Sequence, residues 1–126
     1  MKFAVSAAIC IFAVLLFLCA PPESLAQQQN KKITYSTDIA PILQTRCVNC
    51  HGAARPAAGL RLDTYQGLMA GSKDRPVIVP GNPQQSLFVK MITGTAKPRM
   101  PKNGPPWLSD GQITLIEDWI ASGAEQ

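Results

Sequence analysis

The sequence contains a single histidine, His51, and that scarcity narrows its chemistry more than any abundance does. No Ser-His-Asp constellation and no pair of carboxylates placed for acid–base work can be found, and the one imidazole lies directly beside a cysteine. The expectation is therefore a protein that is not an enzyme. There is no internal repeat, and no segment sustains the period-two alternation of a half-buried strand. Basic residues exceed acidic ones by only four, without the dense basic stripe of a nucleic-acid binder. Of the four cysteines, two lie in an apolar N-terminal run, so no disulfide framework is available beyond one tight pair, Cys47 and Cys50.

That N-terminal run, Phe3 to Ala20, follows one Lys and precedes the small-residue pattern Ser24-Leu25-Ala26. It reads as a secretory signal peptide, residues 1–26, cut before Gln27, which places the protein in the periplasm. Two other outcomes use the same residues: retention of the run as a membrane anchor, or lipidation of Cys19. Removing Lys2 and Glu23 with the leader leaves the charge excess unchanged. The remainder, from Gln27 to Gln126, is one small domain, and a core of that size gains from a large cofactor to pack around.

After a polar leader, residues 27–35, the domain reads as 36–126. Ile39, Ile42, Leu43 and Cys47 lie at helical spacing behind Ser36, Thr37 and Asp38 as candidate caps, so the first helix runs into the cysteines. A short helix follows in "LDTYQGLMAG", opened by Asp63 or Thr64 and ended by Gly71. In "PGNPQQSLFVKMITG", Asn82 caps, Pro83 takes the first helical position, Leu87, Phe88, Met91 and Ile92 form an apolar face, and Gly94 stops the helix. "TAKPRMPKNGPPW" is too rich in proline for helix. "LSDGQITLIEDWIASG" opens with the capping box Ser109 to Gln112, buries Ile113, Ile116, Trp119 and Ile120, and closes at Gly123. The fold class is all-α.

Within this frame stands "CVNCH", which brings Cys47, Cys50 and His51 into five consecutive residues. Three chemistries use such a cluster: a covalent haem, part of a zinc site, and a redox dithiol. Structural zinc needs four ligands, and no second knuckle supplies the fourth. A thioredoxin-like dithiol sits at a helix start beside a parallel sheet, whereas this pattern is helical throughout. Haem fits the spacing: two cysteines three apart reach the two vinyl groups of one porphyrin as thioethers, and the adjacent histidine binds iron.

A second axial ligand cannot be histidine within this chain, which leaves methionine, lysine, water or an exogenous ligand. Met69 and Met91 fall at core spacing on helices and read as packing. Met100 lies in "KPRMPK", on a loop stiffened by Pro98 and Pro101, where a thioether can be held at an iron; its bland reading is an apolar plug.

Over nearly the whole domain the residues resemble the small monohaem c-type cytochromes, in the variety common as a domain in planctomycete and related bacterial proteins. The segments "DIAPILQTRCVNCHG", "GLRLDTYQGLMAG", "VPGNPQQSLFVKMI", "RMP" and "LSDGQITLIEDWIASGA" carry the likeness, in that family's order. Two departures are Ala58-Gly59, where the family often has two glycines, and Met100-Pro101-Lys102, where it often has Met-Pro-Pro. The resemblance implies a cytochrome c-like fold, with crossed N- and C-terminal helices around one covalently bound haem c. It also implies Cys47 and Cys50 as the attachments, His51 as the proximal ligand and Met100 as the distal one. Trp107 and Trp119 are expected in the haem pocket and core, with Arg61, Tyr65 and Arg75 as candidate partners of the haem propionates or ordinary surface groups.

The function that follows is one-electron transfer with a His/Met-ligated haem. Lys97, Arg99 and Lys102 around Met100 suggest docking to acidic patches on redox partner proteins, with no nucleic acid partner, and membrane contact only if the leader is retained or lipidated. The alternatives are a haem-based binder of small ligands, if Met100 leaves iron open, and a dedicated electron-transfer subunit of a dehydrogenase complex.

Overall fold

Thr34 opens the folded chain. In the computed structural model, which describes residues 31–73 and 75–126, its hydroxyl accepts a hydrogen bond from the Thr37 N–H at 3.4 Å. Asp38 turns back so that its carboxylate accepts the Thr34 N–H at 3.0 Å. The cap thus lies two residues ahead of Ser36, the first of the expected caps. Ile33 packs against the core and Tyr35 is buried within it, so the compact unit is Ile33–Gln126 and starts before residue 36. The expected leader peptide, with Cys10 and Cys19, lies outside the described residues, and among the described ones no helix is long and apolar enough to cross a membrane.

A π-helical turn, Tyr35–Ile39, feeds α1, Ala40–Arg46. Pro41 falls in the first turn of α1, where its missing N–H leaves no bond unmade. The helix expected to run into the cysteines breaks at Cys47 (φ −128°, ψ −40°), and a short α2, Val48–His51, follows. Further along, α3, Tyr65–Ala70, matches its sequence signals: the Thr64 hydroxyl accepts the Gly67 N–H at 3.0 Å, and Gly71 ends the helix at φ 80°, where a Cβ would strike the Arg75 carbonyl.

The next helix divides where a single one was expected. Asn82 caps a 3₁₀ turn, Pro83–Gln85, and α4, Leu87–Thr93, begins only after Ser86. The cause lies in Ser86, wholly buried, whose hydroxyl donates to the Asn82 carbonyl at 3.0 Å and accepts the Val79 N–H at 2.9 Å. Such local side-chain bonds compete with the helical ladder. Gly94, at φ 84°, closes α4. The last helix, α5, Asp110–Ala121, carries the expected capping box: the Gln112 N–H reaches Ser109 Oγ at 3.3 Å, and the Ser109 N–H reaches Gln112 Oε1 at 3.0 Å.

No strand occurs among the described residues, and the fold is all-α. The core gathers Ile39 and Leu43 from the first segment, Leu68 from α3, Phe88 and Ile92 from α4, and Ile116, Trp119 and Ile120 from α5. Ile113 is only partly buried. The end of the chain locks onto the start of the Ile33–Gln126 unit, because the Glu125 carbonyl accepts both the Tyr35 N–H (3.2 Å) and the Trp119 indole N–H (2.7 Å), and the Ala124 carbonyl accepts the Tyr65 hydroxyl (3.0 Å). The Tyr35 hydroxyl is buried without a partner among the described residues, and desolvation, with the Asp63 charge beside it, pushes its pKa up.

Candidate functional site

One side of that core is left open. A cavity of about 660 Å³ is floored by Leu60, Leu62, Val77, Leu87, Phe88 and Ile92. Its volume lies within the roughly 300–1,000 Å³ of cofactor-sized pockets. Cys47 enters it from the break between α1 and α2, Cys50 and His51 from α2, and Met91, Met100 and Pro101 from α4 and the loop beyond. The four residues expected at the site therefore share one space, although Met100 lies 49 positions beyond His51 in the chain.

The turn at Cys47 sets the first three groups. Its amide donates to Leu43 (2.8 Å), ending α1, while its carbonyl accepts the N–H groups of Cys50 (3.1 Å) and His51 (2.9 Å). The motif is thereby hydrogen-bonded as one unit behind α1, whose Ile42 and Leu43 are buried. His51 is held at its ring as well: Nδ1 lies 3.3 Å from the Leu60 carbonyl, and the Leu62 N–H donates to the His51 carbonyl at 2.8 Å. A carbonyl only accepts, so Nδ1 carries the proton and Nε2 keeps its lone pair for a metal.

The two thiols are free. Burial pushes the Cys47 thiol up to about 11, against the lowering effect of neighbouring Arg46. A redox dithiol depends on the opposite shift, toward thiolate. Nor is any group of three His, Cys, Asp or Glu side chains placed to hold a metal ion among the described residues. The donor set is two thiols, one oriented imidazole and thioethers around an apolar slot. It fits a haem c, which Cys47 and Cys50 would attach and His51 would ligate, better than it fits zinc or a redox dithiol.

The loop carrying Met100 is tied down at several points. The Met100 N–H donates to the Met91 carbonyl at 2.9 Å, and Arg99 Nε to the Ile92 carbonyl at 3.3 Å. The Arg99 guanidinium lies 4.2 Å from the centre of the Trp107 ring, and that ring packs over Gly104, where any Cβ would collide with it. Arg46, the residue before the first cysteine, donates to the Pro106 carbonyl.

Several sequence expectations are corrected here. Met69 packs against the core as expected, whereas Met91 lines the cavity and stands apart from the core cluster. Trp119 is fully buried, but Trp107 is 39% exposed and lines no part of the cavity, its indole being used by Arg99 at the surface. Arg61, Tyr65 and Arg75 do not line it either: Arg61 forms a two-point pair with Asp63 (3.0 and 2.7 Å), and Tyr65 is bound to Ala124. The cations that do line it are Arg46 and Lys102, and no acidic side chain does so among the described residues. Arg46 carried no sequence signal of its own beyond its place beside Cys47.

A helical domain with this motif and slot resembles the cytochrome c class. The family model described as Planctomycete cytochrome C matches residues 47–104, from the first cysteine to the Pro-rich loop, and this span is a planctomycete-type cytochrome c domain. Such a domain implies haem c as cofactor and electron transfer as its general activity. No curated protein and no solved structure gives a significant match.

Proposed function

We propose that the protein is a one-electron carrier of the bacterial periplasm, with one haem c attached through Cys47 and Cys50, ligated by His51 and Met100, and with no enzymatic reaction of its own. The observation that carries this reading is the meeting of these four residues in one largely apolar cavity. Bound there, a haem supplies an iron that alternates between ferric and ferrous. The Leu60 carbonyl keeps the His51 ring in one tautomer and orientation. The apolar floor excludes water, and the tied loop limits movement of Met100, so that little rearranges as charge changes. A thioether paired with imidazole favours the ferrous state and a relatively high potential. Export is supported by the apolar N-terminal run with its small-residue cleavage pattern.

Optical spectra of the ferric and ferrous protein test the ligand pair. The ferric form should show the weak near-infrared sulfur-to-iron charge-transfer band, and the ferrous form should bind carbon monoxide poorly, since an internal ligand must leave first. A missing band together with ready carbon monoxide binding would replace the carrier by the haem-based ligand binder.

Partner choice follows from charge at the cavity mouth. Arg46 and Lys102 line it, Lys97 is exposed on the same loop, and acidic patches on redox proteins are the complementary surface. Reversing Lys97 and Lys102 to Glu should slow electron exchange with an acidic partner by about tenfold at low ionic strength and far less at high salt. A rate unchanged at low salt would mean that these lysines serve only solubility.

A further inference from the structure

Helix α4 buries Phe88, Val89 and Ile92, and the spacing of Met91 would seat it among them. It lines the cavity beside Phe88 and Ile92 but stands outside the core cluster, and its carbonyl accepts the Met100 N–H at 2.9 Å. Two thioethers thus reach the same space from backbones joined by a hydrogen bond. Among the other side chains there, His51 and the two thiols are already assigned. The hydroxyls and amides present are poor ligands for haem iron beside a thioether.

We propose that Met91 is a reserve axial ligand, which takes the sixth position of the iron when the Met100 sulfur is lost to it. The inference rests on the reading above, in which Met100 holds that position in the intact protein. The stiff proline loop presents Met100 first; Met91, anchored on a helix but with three rotatable side-chain bonds, reaches the same position by changing rotamer. The natural occasion is oxidation. A hydroperoxide transfers one oxygen atom to the Met100 sulfur, giving the sulfoxide and the corresponding alcohol or water, and the carrier retains a sulfur ligand.

The test compares four holoproteins at neutral pH: wild type, Met91→Leu, Met100→Leu and the double variant. Leucine keeps the volume and removes the sulfur, so folding is preserved. Wild type and Met91→Leu should show the same near-infrared band. Met100→Leu should keep a shifted sulfur-to-iron band, and only the double variant should lose it, with a gain of at least about tenfold in carbon monoxide affinity over Met100→Leu. A Met100→Leu protein that lacks the band and binds carbon monoxide as the double variant does overturns the inference while leaving the carrier reading intact. Loss of the band in Met91→Leu alone overturns it too, since Met91 would then be the first ligand. A wild type without the band removes both.

Discussion

Replacement of His51 by Ala should leave a haem still attached at Cys47 and Cys50 but without its proximal ligand. The change should be the largest any single substitution in the domain produces in the spectrum. The imidazole is held from two sides, by its own backbone bonds to Cys47 and Leu62 and by the Leu60 carbonyl at Nδ1, so no other side chain is prepared to take its place. The described part of the chain contains no second histidine. The ferrous variant should bind carbon monoxide readily, and electron exchange should slow by more than about a hundredfold, because loss of even an outer partner of a metal ligand commonly costs 10–100-fold. Added free imidazole should restore much of the wild-type spectrum by filling the space the side chain vacated. A variant whose spectrum matches wild type without added imidazole would place the proximal ligand elsewhere.

The second large effect is on stability, and it separates the two tryptophans. Trp119 is wholly buried, touches Tyr35 at a ring separation of 6.2 Å, and donates its indole N–H to the Glu125 carbonyl at 2.7 Å. Trp119→Ala should therefore cost about 3–5 kcal/mol through the cavity it opens. That is a large share of the roughly 5–15 kcal/mol available to a domain. Trp107→Ala removes an exposed ring and its stack with Arg99, and should cost about 1 kcal/mol or less. Denaturant unfolding of the holoprotein, followed by far-ultraviolet circular dichroism, measures both. Equal losses at the two positions would contradict the assignment of Trp107 to the surface.

The two tryptophans also show what the chain reveals on its own. Trp119 repeats at helical spacing with Ile116 and Ile120, so its burial could be read from periodicity. Trp107 stands in a stretch of prolines without a period, and only the fold brings Arg99 over its ring. The same division runs through the methionines. Met69 and Met91 have like helical settings, and which of them meets the core depends on how α3 and α4 are rotated about their axes, a tertiary property. Ser86 carried no signal that it would split a helix, because its competing partner, the Val79 amide, lies before the capping residue. The motif from Cys47 to His51, the capping box of α5 and the glycine stops of α3 and α4 were legible because each is a local requirement of covalent or backbone geometry. That Arg61 pairs with Asp63, two residues away, and lines no part of the cavity agrees with the surface reading left open for it.

One measurement bears on the central claim most directly: the mass of the mature protein, produced with a haem-attachment system and extracted with acidified solvent. The haem should stay with the polypeptide, raising its mass by one haem, and joint replacement of Cys47 and Cys50 by Ala should release it into the solvent. Free haem extracted from the wild-type protein, with the polypeptide left at its bare mass, would contradict the account.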